Sequence, residues 1–398
     1  MRDTFKTIEQ PTFGEFKGKG LKFLAYTTPL SIEADFSQFK NKKNMSYIIS
    51  GIQQIGVGCK DVYETWRWYR QMLGADVPVF DEKATAALML PYTGGQPRER
   101  HAILALNMQG GGGFEIWQHT QHVPNYPAIE PKLGDTGIFA AKIKCFNADK
   151  AFIRFKEKGA NVISAEVETS PDAVERYFWV KDPYNNLLQI VEAKTWFQKQ
   201  GKTTGGIYGA IIGTTDIEKS VALFRDILGY DQVIYNKVDA FSDFKALSGG
   251  NAPCTRVLLR HSQARVGAFA PLLGPTEIEL VQTFGDAPKR IFENRFWGEC
   301  GFIHLCFDIN GMEDLKNRLD TEGYPFTVDS ANSFDMGEAA GRFAYIEDQD
   351  GTLIEFVETH KVPILKKIGW YLNLTKRRPE KALPRWMLKA LGLNRVSD

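Results

Sequence analysis

Gly301-Phe-Ile-His-Leu-Cys-Phe-Asp-Ile-Asn310 alternates like a half-buried β-strand, with Ile303, Leu305 and Phe307 on one face and His304, Cys306 and Asp308 on the other. A helix-like stretch, Met312 to Leu319, follows it. After the turn Asp348-Gln-Asp-Gly351 comes a second strand pattern, Leu353-Ile-Glu-Phe-Val357, in which Ile354 and Phe356 face one way and Glu355 the other. A histidine and a glutamate on the polar faces of two strands in one small unit are placed to share a metal ion.

Working outward, the same order of elements recurs. Gln54-Ile-Gly-Val-Gly-Cys-Lys-Asp61 leads into a helical stretch, Val62 to Leu73, that stops at Gly74. Gly209-Ala-Ile-Ile-Gly-Thr-Thr-Asp216 leads into Ile217 to Leu228 and stops at Gly229, with Asp61 and Asp216 as N-caps. Phe114-Glu115-Ile-Trp-Gln118 corresponds to Ile278-Glu279-Leu-Val-Gln282. Ala140 to Asn147 corresponds to the stretch from His304, and Asp182 to Val191 to Asp348 to Val357. One duplication therefore covers residues 50–195 and 205–360, joined near Gln198 to Gly205. Each copy holds two halves that read strand, helix, then several strands. The expected class is α+β, with tandem βαβββ modules, two in each of two repeats.

Residues 1–44 form an irregular extension, and Met45 begins the first strand pattern. The chain carries a net charge of +1 and 43% hydrophobic residues, ordinary for a soluble globular protein and no footprint for nucleic acid. Its five scattered cysteines include no Cys-x-x-Cys, which argues against a disulfide framework and a zinc ribbon. Arg2-Asp3 is followed by no apolar core and no apolar run is long enough for a span, so a cytoplasmic location is expected. Ten Lys/Arg and two Asp/Glu fall within 361–398. Mixed there with Leu, Ile and Trp, they make a basic amphipathic tail for which two readings stand: peripheral contact with a membrane or a protein, or docking on the acidic remainder of the chain. Gly110-Gly-Gly-Gly113 lacks a following helix and a Lys-Ser/Thr, and reads as a flexible hairpin turn.

The capped helix, the Leu-Gly stop and the closing Asp-x-Asp-Gly-x-x-Ile-Glu-Phe pattern (348–356) resemble the vicinal oxygen chelate superfamily, which includes glyoxalase I, extradiol dioxygenases and bleomycin-resistance proteins. That resemblance implies a cup built from two modules, each giving one ligand on its first strand and one on its last. The positions are Gln54 with Glu115, Ala140 with Gln189, Gly209 with Glu279, and His304 with Glu355. Pairing within each repeat leaves Gln54, Glu115 and Gln189 in one cup and Glu279, His304 and Glu355 in the other. Pairing across repeats collects Gln54, Glu115, His304 and Glu355 in one cup, the glyoxalase I ligand set, and is favoured.

The resemblance then implies one divalent ion (Zn, Ni, Co or Mn, with Fe less suited) that polarises two vicinal oxygens of a small substrate. Glu355 is expected as the base that moves a proton between adjacent carbons, with Glu115 as its partner on the opposite face. Glyoxalase I carries an arginine where Gly58 stands and an asparagine where His119 stands, so a glutathione-linked substrate is not expected. Arg98, Arg100, His119 and His122 are candidates for another substrate, or plain loop residues. Two alternatives stand beside this reading. One is a metal-free binding protein of the bleomycin-resistance kind. The other is a dioxygenase of the ring-cleaving or hydroxyphenylpyruvate type, for which Gly209 occupies the place of a needed histidine.

Overall fold

A computed structural model describes residues 46–331, 334–335, 340–365 and 369–396. Four modules follow one another. The first holds β1 (Ile48–Gly58), α1 (Val62–Leu73), β2 (Val77–Ala86), β3 (Arg98–Leu106) and β4 (Gly113–His119). The second holds β5 (Gly137–Cys145), α2 (Ala148–Glu157), the short β6 (Asn161–Val162) and β7 (Glu168–Thr169), then β8 (Arg176–Lys181) and β9 (Leu187–Glu192). The third holds β10 (Thr204–Gly213), α3 (Ile217–Ala222), β11 (Gln232–Asp239), β12 (Cys254–Arg260), a turn of helix α4 (Ala270–Leu273) and β13 (Glu277–Thr283). The fourth holds β14 (Gly301–Asn310), α5 (Met312–Thr321), β15 (Val328–Asp329), β16 (Phe334–Asp335), β17 (Ala340–Glu347) and β18 (Leu353–Leu365).

The helices begin where the sequence places their caps. Asp61 accepts from the Glu64 amide and Asp216 from the Lys219 amide, each satisfying a first-turn N–H. The helical stretch after Asp216 is not regular throughout. Beyond α3 it widens into a π-turn, Leu223–Ile227.

The modules assemble across the repeats. One sheet runs β15-β17-β18-β14-β1-β4-β3-β2, joining the first module to the fourth through an antiparallel β1–β14 seam. The other runs β11-β12-β13-β10-β5-β9-β8-β6 and joins the third to the second through β10–β5. The largest core cluster unites the two sheets with the module helices. Trp66 and Tyr69 of α1, Phe155 of α2, Val221 of α3 and Leu315 of α5 pack with Ile52, Ile143, Ile212 and Phe307.

Two expectations change on contact with the structure. β14 is buried on both faces from Gly301 to Ile309, because one face meets the helices and the other lines a cup. Its alternation also breaks. Between the pairs Ile55↔Leu305 and Val57↔Phe302, β14 carries one extra residue, a bulge that turns Ile303 toward the cup beside Trp117 and Trp297. The Gly110–Gly113 connection is buried rather than an exposed turn. Gly111 N–H donates to Leu272 and Gly112 N–H to Ile207, so the turn is clamped to the third module.

The tail docks on this body. β18 runs on through Lys361 to Leu365 and pairs with β19 (Trp370–Asn373), and α6 (Arg385–Ala390) follows. Leu383, Leu388 and Leu391 pack with Val77, Met108 and Leu272, and Arg395 pairs with Asp76 at 3.1 Å. No helix among the described residues is long and apolar enough to cross a membrane.

The inner cup, between the second and third modules, is filled by ion pairs. The Lys142 ammonium lies 2.8 Å from Glu175 and 3.1 Å from Glu279 and also meets Glu277. Arg256 joins Glu279 to Asp243, and Arg260 reaches Glu175 at 2.7 Å and Glu277 at 2.8 Å. Burial would discharge Lys142, but the surrounding carboxylates outweigh it and hold the ammonium form. Glu277 goes the other way. Burial first, then the neighbouring Glu175, push it up to about 8. Gly209, where a dioxygenase-type histidine would stand, has no room for a side chain, because a Cβ there would overlap the Glu277 carbonyl.

Lys142→Ala leaves three buried carboxylates short of their shared cation and should destabilise the fold by about 3–5 kcal/mol, read from the urea midpoint. Glu277 binds its proton more tightly folded than unfolded, so its contribution is full below its ordinary 4.5 and is lost as pH rises through about 8. Glu277→Gln stays neutral throughout, and its unfolding free energy should fall less between pH 5 and 8 than that of the wild type.

Candidate functional site

In the outer cup four side chains meet from four different strands: Gln54 on β1, Glu115 on β4, His304 on β14 and Glu355 on β18. Their positions follow from the sheet. β1 pairs in parallel with β4, placing Gly56 beside Glu115, and β14 pairs in parallel with β18, placing Cys306 beside Glu355. The seam carries a second bulge, since two steps on β1, Ile52 to Gln54, match one on β14, Phe307 to Cys306. Both Gln54 and His304 therefore sit at bulges, which aim a side chain off the regular pleat.

The geometry is convergent. His304 Nε2 lies 3.3 Å from Glu115 Oε2 and 3.1 Å from Glu355 Oε2, without the alignment of a hydrogen bond to either. Gln54 Nε2 donates to the same two oxygens at 3.2 and 3.5 Å. The Gln54 carbonyl oxygen and His304 Nδ1 are buried without partners, and a half-turn of the amide would bring that oxygen to the shared point. His304 is 0% exposed and the other three between 4% and 9%. Burial alone would discharge the imidazole, but Glu355 and Glu115 outweigh it and raise His304 to about 9. The same pairing holds Glu115 below its ordinary value despite its burial.

The space for the imidazole comes from Gly56, where a Cβ would overlap the His304 ring. Trp297 stacks over that ring, with centroids 6.2 Å apart and planes 13° apart, and Tyr345 meets it edge-on at 5.5 Å. Tyr345 is held well above its ordinary value by burial and then by Glu355, so its hydroxyl keeps its proton. Cys306 is likewise kept as a thiol, which removes it as a nucleophile. Sequence reasoning passed over Trp297 and Tyr345, and only the run of aromatic residues from Phe292 to Trp297 hinted at a wall there.

Of the inner positions, Gln189 is wholly buried with neither amide atom partnered, while Glu279 is taken up by Arg256 and Lys142, which hold it down to about 2 despite burial. Arg98 bonds the Thr93 carbonyl and lies over Phe296, and Arg100 pairs with Glu82 at 2.7 Å. His119 and His122 lie elsewhere, together with Glu299. Burial, then His122, lower His119 to about 4.

A cavity of about 540 Å³ opens beside this cup, lined by Tyr92, Arg290, Phe292, Phe296, Trp297 and Ile303 among others. Trp297 is thus shared, one wall of the cavity and the cover of His304.

Residues 207–356 match the family model of the Glyoxalase/Bleomycin resistance protein/Dioxygenase superfamily. No curated protein matches the sequence significantly. Among solved structures, a single-residue variant of glyoxalase I from Zea mays is similar at 13% identity, with a TM-score of 0.50 over 79% of this chain and 94% of that one. The Mn(II)-bound glyoxalase from Novosphingobium aromaticivorans is 14% identical, with a TM-score of 0.26 over 85% of this chain and 88% of that one. At such identities the likeness is one of fold. Residues 207–356 thus match the Glyoxalase/Bleomycin resistance protein/Dioxygenase superfamily, and the four-module chain has the fold of glyoxalase I.

Proposed function

We propose that the outer cup holds one divalent metal ion on Gln54, Glu115, His304 and Glu355. There the protein acts as a glyoxalase-I-like isomerase or lyase, moving a proton on a small substrate with two vicinal oxygens. The observation that carries this reading is the convergence of Glu115, His304 and Glu355, whose ligand atoms all lie within 4.8 Å of one another in a buried cup. Two carboxylates, one imidazole and an amide oxygen suit Zn²⁺, Ni²⁺, Co²⁺ or Mn²⁺. A non-haem iron oxygenase would ask for a second histidine in the cup, where His304 is the one histidine among the described residues that converge.

A bound ion supplies Lewis acidity to the substrate's oxygens. The chain supplies the rest. Glu355 takes the proton, and Glu115 stands across His304 as the partner that returns it on the other face. The buried cup keeps water from competing for that proton. Tyr345 stays protonated beside Glu355 and fixes the wall behind it. The substrate is small and is not a glutathione adduct. The Glu299 backbone passes so close over Gly58 that a Cβ there would overlap its carbonyl, which leaves no room for the arginine of glyoxalase I. The cavity beside Trp297 has the volume of a small-molecule site. It also supports a second reading, because none of the four converging residues lines it: a metal-free protein that sequesters a ligand in that cavity.

Solvent deuterium uptake separates the two. Protein loaded with each of the four metals is given a set of 2-hydroxy ketones and thiol adducts of 2-oxoaldehydes, and exchange at the carbon beside the carbonyl is followed by NMR. Wild type should exchange, and Glu355→Gln should lose about 10²–10⁴-fold while staying folded. No exchange by any metal form, with ligand bound equally well by the metal-free protein, would leave the sequestering reading. Gly56→Ala should push the His304 ring off the shared point and weaken metal affinity about 10–100-fold, measured by competition with a chromophoric chelator.

A further inference from the structure

His119, His122 and Glu299 form a second cluster, separate from the four converging residues, and we infer that it is a site for a second transition-metal cation of the zinc class. His119 ends β4, four residues beyond Glu115. His122 lies in the loop after it, and Glu299 lies two residues before β14. One ligand atom from each lies within 4.8 Å of the other two. The two imidazoles lie 4.3 Å apart, tilted by 34°, and His122 Nε2 sits 2.7 Å from Glu299 Oε1.

The independent sign is His119. It is 1% exposed, and neither ring nitrogen has a hydrogen-bond partner of ordinary geometry, although the Trp297 backbone lies near. A neutral imidazole always carries one donor and one acceptor, and burying both unmet is costly. A cation would take up the acceptor. His122 Nδ1 is also buried without a partner, so His122 has a free nitrogen as well. Two imidazoles and one carboxylate are the ligand set of a three-coordinate protein site for zinc, with a fourth position left open. His122 is the most exposed of the three and can swing to close the remaining distance.

The position says what the ion does. Glu299 is held by the Asn125 amide, and Cys300 N–H donates to the Asn125 carbonyl, so the loops after β4 and before β14 already touch. Gly298, at φ +94°, lets the chain pass over the Trp117 ring where a Cβ would overlap it. Trp297, the cover of His304, is the residue before. An ion on His119, His122 and Glu299 ties β4 to that loop and fixes Trp297 over the outer cup.

Metal-stripped full-length protein is titrated with Co²⁺, reading bound equivalents and the visible d–d absorption. His122→Ala and Glu299→Gln should each bind one equivalent fewer than wild type, while Glu355→Gln keeps the absorption of the second site. This outcome is independent of the outer cup. If that cup binds nothing, wild type takes one equivalent, lost in His122→Ala and retained in Glu355→Gln. Undiminished binding in both His122→Ala and Glu299→Gln, or a wild type whose every equivalent disappears with Glu355→Gln, overturns the proposal. Glu299→Gln keeps the shape of the side chain, so a folding defect in His122→Ala would not leave the question open.

Discussion

The antiparallel seam between β1 and β14 is the contact on which the rest depends. It ties the first strand of the first module to the first strand of the last, residues far apart in the chain, and so carries a large closure cost that only a buried, well-paired interface offsets. By running Ile48 against Asn310 and Gly58 against Gly301, it fixes which residues share a cup. Pairing within each repeat would have set Gln54 and Glu115 beside Ala140 and Gln189. The seam instead places them with His304 and Glu355. Its bulges matter as much as its direction, because an unbroken ladder would have sent Ile303 to the helix side. The equivalent seam, β10 with β5, keeps similar register shifts around Gly209 and Ala140. The two sheets are therefore built alike even where their side chains have diverged.

That divergence follows one rule: buried carboxylates need a cation. In the inner cup the chain provides its own. Lys142, Arg256 and Arg260 face Glu175, Glu277, Glu279 and Asp243, and the raised Glu277 absorbs the odd charge as a proton. The outer cup contains no lysine or arginine among its converging residues. Glu115 and Glu355 are met by a single imidazole, which can carry at most one charge. Glu279 and Glu355 thus occupy matching places on matching strands and have opposite surroundings. One is locked in an ion-pair network, and the other faces a histidine that an external cation could engage.

Much of this was legible in the sequence because it rested on local signals. Asp61, Asp216 and their glycine stops mark helices by capping chemistry that needs no tertiary context. The spacing of Glu115, Glu279, Gln189 and Glu355 within the duplication placed them on last strands. The losses at Ala140 and Gly209 made crossed pairing the economical arrangement. Other features were hidden for physical reasons. A strand buried on both faces and a half-exposed one share the same alternation, so β14 read as half-buried. A bulge leaves no mark in composition, so Ile303 was assigned to the wrong side. Gly110–Gly113 looked like a free turn because glycines that permit close approach and glycines that permit flexibility are the same residue. The Lys142 network was invisible, since a lysine on an alternating strand usually points to water.

The segment between β13 and β14 shows why the site could not be read from the modules alone. It leaves the inner sheet at Thr283 and enters the outer one at Gly301, and on the way it supplies Arg290, Phe292, Phe296 and Trp297 to the cavity wall. The duplicated units have ligand positions in common, and the stretch from β4 to β5 makes the counterpart crossing. Phe292, Phe296 and Trp297, however, come from the crossing between the third module and the fourth. It passes over Gly58, stacks Trp297 on His304 and brings Glu299 to His122. A module can therefore keep its strand pattern while its chemistry is decided by the stretch of chain that lies across it. Trp297 lies over His304 and is held there by its N–H, which donates to the Tyr92 carbonyl, and by the Trp117 ring. The cover of His304 thus comes from a connecting stretch and not from a strand that carries a ligand position.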